Sequence, residues 1–547
     1  MSRLARGEIV FPKLREVQQR EGCISSEALG RLSRELNLPL HHLQGLVSFF
    51  PSFSSEPSRP LRVRVCRDLS CHLAGSQRLL QEGLRAARQR DDVEICDAPC
   101  LGRCEQAVAL EANGRVHGRA SAGLLRQILA GSAPEVAPAE AFPQKAARCE
   151  PYDSTGEWFA GFRACLEGGR EVEEVLQAVR DSGLRGMGGA GFSTGLKWQI
   201  VRGAKGAPKY VICNADESEP GTSKDRVILE RWPHLVLEGM LVCMWAVGAE
   251  EGWIYLRHEY LEPARRLEEL IRSAFEQGLL GQNAGGSGRR LEVRLFESPG
   301  GYICGEETAL LEVMEGRRAE PRNKPPFPGT HGLWNRPTVI NNVETFTFVP
   351  AILKRGPGWF AAQGQNGARG LKFLALSGHV QRPGVYEVPL GITARSFIDE
   401  FGQGVQGSAL KAFAPGGASS GFLPARELDT PLDFDALVSK GSMLGSGAVV
   451  AIAEGTDMVE LALSVTRFFR DESCGKCVPC REGTSRAVQM LQARTKSAAS
   501  GELGTILEEL SQAMALTSIC GLGQVALNAL LSVKRHWPEE WARSMGR

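Results

Sequence analysis

No stretch of this sequence is apolar for long enough to cross a bilayer. The longest apolar run, residues 239–249, "GMLVCMWAVGA", falls well short of the roughly 20 residues that a spanning helix needs, and it reads as a buried helix. The opening "MSRLARGEIVFPKLREVQQREG" has no apolar core of signal-peptide type. Charge of one sign is not in excess either: Lys+Arg 64 against Asp+Glu 63 leaves a net charge of +1. That balance gives no electrostatic footprint for nucleic acid or an anionic membrane, and no long basic run or aromatic–basic interleave supplies one. Repeats of solenoid period are missing too. The expected setting is the cytoplasm, or the cytoplasmic side of a larger complex, with no nucleic-acid partner and no membrane span.

Cysteine, by contrast, is plentiful: 15 in 547 residues. A cytoplasmic setting keeps thiols reduced, so clustered cysteines are read as metal ligands before disulfides, and an odd count argues against full pairing. A chain this long is expected to divide into several domains.

The pattern of apolar residues divides the chain into six parts. Residues 1–60 have helical spacing, with Ser25 and Ser26 as an N-cap region, and read as a small helical bundle. Residues 61–130 run strand, helix, then short strands, a small α/β domain. An Ala/Pro-rich linker covers 131–150. Helices and strands alternate over 151–369, an α/β sheet domain. Residues 370–454 are β-rich with one helix, and 455–547 are helical. The fold class is therefore multidomain α/β plus α.

In "ESCGKCVPCREGT", residues 472–484, Cys474, Cys477 and Cys480 form C-x2-C-x2-C. Downstream only Cys520, in "LTSICGLGQ", remains as a fourth thiol. Structural zinc sites usually take thiols as two pairs. Three in one tight turn plus one remote residue fits a [4Fe–4S] cubane, each thiolate on a different iron. A second set, Cys66-x4-Cys71 and Cys100-x3-Cys104, comes as two pairs from two loops and suits a [2Fe–2S] rhomb. His72 has no matching His beside the other pair, which argues against a Rieske centre. Cys96, also x3 from Cys100, is the competing ligand. Cys23, Cys149, Cys165, Cys213, Cys243 and Cys304 are scattered and read as isolated thiols.

"GLRGMGGAGFSTGLKW" matches G-x-G-x-x-G at Gly186, Gly188 and Gly191. It follows a helix-like stretch where a dinucleotide fingerprint should follow a strand, and no G-K-[ST] makes it a Walker A loop. So many glycines, Gly189 among them, still demand close backbone approach to something, and Lys197 lies within reach of a phosphate. Asn214, Asp216, Glu217, Ser218 and Glu219 follow the strand "KYVICN", where an open α/β sheet presents ligand contacts. "GGYICGEETALLEVMEG" adds Gly305 before a helix that begins with Glu306 and Glu307. "KPPFPGTHGLW" sets Lys324 and Phe327 on a rigid loop, and "PTVINNVET" offers Asn341 and Asn342.

Together these segments resemble the NADH-oxidising flavoprotein (51 kDa-type) subunit family of respiratory complex I, over roughly 150–547. The first 130 residues resemble its partner, the 24 kDa-type [2Fe–2S] subunit, so the chain looks like both subunits fused. The resemblance implies a thioredoxin-like fold for 61–130, a ubiquitin-like β-grasp for 370–454, and a helical bundle carrying the cubane over 455–547. It places FMN on Gly186, Gly188, Gly189, Gly191, Lys197, Asn214, Asp216, Glu217, Ser218, Gly305, Glu306, Glu307, Asn341 and Asn342. It places NAD(H) near Phe192, Glu219, Lys324 and Phe327. Met187 stands where the family often has Arg, and Ile200 where an aromatic ring often clamps the nucleotide.

The implied activity is that of a diaphorase, passing electrons between NAD(H), FMN and iron–sulfur clusters with no catalytic side chain of its own. Glu219 would repel the 2′-phosphate of NADPH. Fusion on one chain of this length most resembles the β subunit of molybdenum- or tungsten-dependent, NAD-linked formate dehydrogenase, whose partner is a molybdopterin/iron–sulfur α subunit. The diaphorase subunit of a bidirectional NAD-linked hydrogenase comes second, with hydrogenase subunits as partners, and complex I third. A flavin-less iron–sulfur conduit is the non-enzymatic alternative.

Overall fold

The computed structural model describes residues 7–132, 134, 147–493 and 500–545. Most of the expected 131–150 linker lies outside the described residues. The chain forms two compact units. The first comprises Met1–Ser58, Gln144–Glu217 and Lys224–Lys372, and the second Arg59–Pro143, Ser218–Ser223 and Phe373–Arg547.

The first unit is built on a four-stranded parallel sheet in the spatial order Glu292–Glu297, Glu251–Leu256, Tyr210–Ala215, Thr338–Asn342. Parallel strands covered on both faces lose the polar alternation of a half-exposed sheet, which is why "YVIC" and "TVI" read as continuous apolar runs. Helix Pro233–Val247, apolar except for His234 and Glu238, is buried along its length. A Cβ at Gly239 would meet the Phe346 carbonyl oxygen at 2.1 Å, so glycine there lets that helix approach helix Val343–Thr347. The N-terminal helices Gly7–Glu21, Ser26–Leu36 and Leu40–Phe49 pack on this unit. Arg15 Nη2 donates to the Glu297 carbonyl at 2.8 Å, and Arg318 Nε to the Gly45 carbonyl at 2.8 Å. Ser25 caps its helix by accepting from the Ala28 N–H.

The second unit holds three substructures. A four-stranded sheet has the order Val93–Ala98, Leu61–Cys66, Leu110–Ala112, Arg115–His117, its first pair parallel and the rest antiparallel. A five-stranded sheet has the order Gly384–Pro389, Leu371–Gly378, Ala448–Ala453, Leu410–Ala414, Leu423–Pro424, with the first and last long strands parallel at its centre. With the helical turn that begins at Ala394, that order is a β-grasp. The C-terminal helices include Met458–Asp471, Val478–Ala493, Ser500–Thr517 and Asn528–His536. Among the described residues no helix is long and apolar enough to cross a membrane.

Candidate functional site

In the first unit, chain order along the sheet runs outward from Tyr210–Ala215 in both directions. Strand Glu251–Leu256 lies on one side and Thr338–Asn342 on the other, so the order reverses beside Tyr210–Ala215. An open parallel sheet binds ligands at the carboxyl ends of its strands at such a reversal. Asn214 lies at the end of strand Tyr210–Ala215 with Asp216 just beyond it, and Asn341 and Asn342 end strand Thr338–Asn342.

The glycine loop joins helix Val172–Asp181 to helix Thr194–Gly203, as its helical lead suggested. It closes on itself: the Gly186 N–H donates to the Phe192 carbonyl at 2.7 Å, and the Gly191 N–H to the Gly186 carbonyl at 3.2 Å. The Met187 N–H is anchored on Thr345 Oγ1 at 2.9 Å. Gly189 and Gly191 hold φ of +136° and +63°, conformations that side chains oppose. A Cβ at Gly188 would crowd Asn342 Cβ at 3.1 Å, and one at Gly305 the Asp216 carbonyl at 3.0 Å. Bare backbone from three segments therefore lines one cradle. Lys197 Nζ donates to the Ile340 carbonyl at 2.9 Å, and burial lowers its pKa while Glu307 opposes the shift. Such a cradle, with a half-buried lysine at its edge, suits a phosphate-bearing ligand such as FMN.

Several acidic candidates are already used by the fold. Glu217 accepts from the N–H groups of Asp225 and Arg226 at 2.9 and 3.1 Å, capping helix Lys224–Arg231, and from Tyr260. Glu306 caps helix Glu307–Met314 through Thr308 and Ala309. Lys324 Nζ bridges Glu306 and Glu307 at 2.9 and 2.8 Å. Asp216 accepts from Ser298 at 2.8 Å, and Asn214 Nδ2 donates to the Gly305 carbonyl at 2.8 Å. Asn341 Oδ1 accepts from Trp198 Nε1 at 3.4 Å. Phe192 and Phe327 present rings that are 46% and 58% exposed, suited to stacking on a base, and Ile200 lies open at 43%. Ser218 and Glu219 fall in the segment grouped with the second unit, where Glu219 Oε1 accepts from the Ser419 N–H at 2.8 Å. Lys224, Asp225 and Thr345, which also shape this site, lie next to the candidate residues in sequence but are not among them.

In the second unit, Cys66 ends strand Leu61–Cys66, and Cys100 follows its parallel neighbour Val93–Ala98. Cys71 sits in helix Leu69–Leu73 and Cys104 opens the turn Cys104–Gln106. All four are buried and converge. Cys100 Sγ lies 3.5 Å from Cys104 Sγ, and contact with Cys100 and then Cys71 pushes the Cys66 thiol well up. Backbone N–H groups of Ala109 and Gly221 point at Cys71 and Cys104 sulfur at 3.3 and 3.2 Å. Four crowded thiols met by N–H donors fit an anionic iron–sulfur rhomb. Cys96 pairs across the strands with Arg64, and its charged neighbours are Arg62, Glu94 and Arg64.

Cys480 lies in the first turn of helix Val478–Ala493, where the helix dipole favours a thiolate; burial pushes it up to about 11. Cys474 and Cys477 are its near neighbours. Cys520 precedes helix Gly521–Val525, and a Cβ at Gly523 would meet Cys480 Cβ at 2.9 Å, so the remote thiol's segment folds onto the triplet. Ser473 Oγ lies 3.2 Å from Cys480 Sγ. That donor set fits a cubane.

Residues 179–351 match the family model of the Nuo51 FMN-binding domain, and 460–544 that of the NADH-ubiquinone oxidoreductase-F iron–sulfur binding region. Residues 4–133 match the thioredoxin-like [2Fe–2S] ferredoxin. The second F-type NADH-quinone oxidoreductase subunit of Rhizobium meliloti is 47% identical over 393 residues, 71% of this chain and 93% of that protein. The HndC subunit of the NADP-reducing hydrogenase of Solidesulfovibrio fructosivorans is 44% identical over 369 residues, 67% of this chain and 75% of its own. A chain in the crystal structure of an air-oxidised NAD+-reducing [NiFe]-hydrogenase superposes with a TM-score of 0.86 at 30% identity, covering 100% of this chain and 95% of that one.

Proposed function

Because this chain belongs to the family of F-type NADH-quinone oxidoreductase subunits, with a thioredoxin-like [2Fe–2S] ferredoxin domain ahead of that region, we propose that it is the NAD(H)-reactive diaphorase subunit of a multi-subunit redox complex. The observation that carries this reading is the glycine-lined cradle at the sheet's reversal point, on one chain with two four-cysteine sets. When bound, FMN exchanges a hydride with NAD(H) and single electrons with iron–sulfur clusters, chemistry that amino-acid side chains lack.

The chain's own residues bind, orient and select. The glycine loop and Gly305 admit the cofactor against bare backbone, and Lys197 answers its phosphate. Asn214, Asp216 and Asn342 would help to hold it at the carboxyl ends of the strands. Phe192 and Phe327 offer faces to the nucleotide base, and Glu219 repels a 2′-phosphate. Cys474, Cys477, Cys480 and Cys520 would hold the [4Fe–4S] cluster, and Cys66, Cys71, Cys100 and Cys104 the [2Fe–2S] cluster.

Two partners fit such a subunit. Fusion of the two subunits supports a molybdopterin-containing formate dehydrogenase α subunit. A hydrogenase partner has a further support in the full-length likeness to a chain of an NAD+-reducing [NiFe]-hydrogenase. Purification of the tagged chain with its native partners, followed by metal analysis, separates them: nickel for the hydrogenase, molybdenum or tungsten for the formate enzyme. The diaphorase reading itself is tested on the chain alone. Released FMN near one per chain and NADH-dependent ferricyanide reduction are expected. Iron and sulfide without FMN or NADH reactivity would leave only an iron–sulfur conduit.

A further inference from the structure

Beside the glycine loop, the first unit buries four charges that the proposed roles leave unused. Lys224, Asp225, Glu344 and Lys372 are each at most 3% exposed. Lys224 Nζ donates to Asp225 Oδ1 at 2.6 Å and to Asn342 Oδ1 at 3.1 Å, and lies 3.0 Å from Glu344 Oε2. Lys372 Nζ donates to the same Glu344 oxygen at 2.6 Å. Asn342 Nδ2 donates to Asp225 Oδ2 at 2.7 Å and to the Asn214 carbonyl at 3.4 Å.

The Asn342 amide is thus gripped at both ends by consecutive residues, a cation on its oxygen and an anion on its nitrogen. A flipped amide would set its NH2 against the ammonium and its oxygen against the carboxylate. One orientation is therefore enforced by charge, beyond what hydrogen-bond count alone would select. On the loop side Gly188 packs so closely that a Cβ would come 3.1 Å from Asn342 Cβ. Burial works against the Lys224 charge, but Asp225 and Glu344 more than offset it and hold its pKa above the ordinary value. Buried ion pairs are weak sources of stability; their better-attested use is to specify one arrangement.

We infer that Lys224 is a positioning residue of the flavin site: with Asp225 it locks the Asn342 amide in one orientation against the glycine loop, while Glu344 and Lys372 brace Lys224 from behind. The inference rests on the reading of Asn342 as an FMN contact. The test is a double-mutant cycle on FMN affinity, measured by fluorescence quenching as FMN is added back to the deflavinated chain. Lys224→Met and Asn342→Ala are each expected to weaken FMN binding about tenfold or more, and the double variant no further than the worse single. The flavin midpoint potential is expected to shift in Lys224→Met while both cluster signals stay unchanged, a separation that a general loss of structure would not give. If Lys224→Met yields no folded protein, Lys224→Gln/Asp225→Asn replaces it, removing one buried charge of each sign. If Asn342→Ala alone leaves FMN affinity unchanged, the reading of Asn342 as a contact falls. If Asn342→Ala weakens binding but the Lys224 change adds to it in full, or has no effect, the positioning role is overturned.

Discussion

Arg67 Nη2 donates to Asp471 Oδ2 at 2.7 Å, which joins the residue after Cys66 to the one three before Cys474. Both lie in the second unit, and Arg67 also pairs with Asp97. The two segments that carry the two cysteine sets are thus pinned next to a cleft of about 440 Å³ lined by Cys66, His72, Glu460 and Arg467 among others. The side chains of Arg67 and Asp471 are 33% and 27% exposed, so water and salt screen the pair. Arg67→Gln is expected to cost about 1 kcal/mol or less of stability, with the difference shrinking in high salt and the iron content unchanged. Urea midpoints at low and high salt check it; a larger loss, or loss of iron, would mean that the pair also guards the cluster.

The cysteine assignments predict two opposite outcomes. Cys520→Ser should lose the [4Fe–4S] signal and about four irons per chain while the [2Fe–2S] signal survives. Cys96→Ser should keep both clusters, because that thiol sits among Arg62, Glu94 and Arg64. Iron and sulfide analysis with EPR of the reduced protein decides. A [2Fe–2S] signal lost in Cys96→Ser would displace one of Cys66, Cys71, Cys100 and Cys104 as a ligand.

What the sequence made legible follows from how each signal is written. Tight cysteine spacing is local, so both sets were apparent, and Cys520 was the sole thiol downstream of the triplet to complete it. Cys96 and Cys104 have the same spacing to Cys100, and the 3.5 Å approach of the Cys100 and Cys104 sulfurs, which spacing does not encode, favours Cys104. The glycine loop was visible as composition, but its place at the sheet's reversal needed the strand order. Glu217 and Glu306 showed as acids near a ligand; that each caps a helix depends on which backbone N–H groups fold toward it. Lys224 and Lys372 take no role in the sequence reading, since only tertiary packing buries them.

Glu238 predicts a pH dependence. It is fully buried in helix Pro233–Val247 and accepts from Tyr152 Oη at 2.7 and 2.9 Å and from the Phe162 N–H at 3.1 Å. Burial outweighs these bonds and pushes its pKa up from 4.5 to about 7. The folded state therefore binds a proton that the unfolded state has released between these values. Its contribution is fully present below about pH 4.5 and is lost as pH rises to about 7, a change on the order of 3 kcal/mol. Glu238→Gln should flatten the stability profile between about pH 4.5 and 7, read from urea midpoints. An unchanged slope would show that Glu238 titrates normally.

Glu219 predicts nucleotide choice. Its Oε1 is fixed by the Ser419 N–H at 2.8 Å, so the carboxylate is held in place and cannot swing away from an approaching anion without breaking that bond. A 2′-phosphate brought near it meets like-charge repulsion that a 2′-hydroxyl, able to donate a hydrogen bond, does not. Glu219→Gln keeps an oxygen for the Ser419 N–H while removing the charge, so the local fold is retained and only the electrostatics change. The ratio of kcat/KM for NADH to that for NADPH should fall about tenfold, mainly through a gain with NADPH. Steady-state ferricyanide reduction with each nucleotide measures it, with FMN content as the control for site integrity. A ratio that does not move, with flavin content intact, would mean that Glu219 serves only to hold the 417–420 turn and that selection against the 2′-phosphate is made elsewhere.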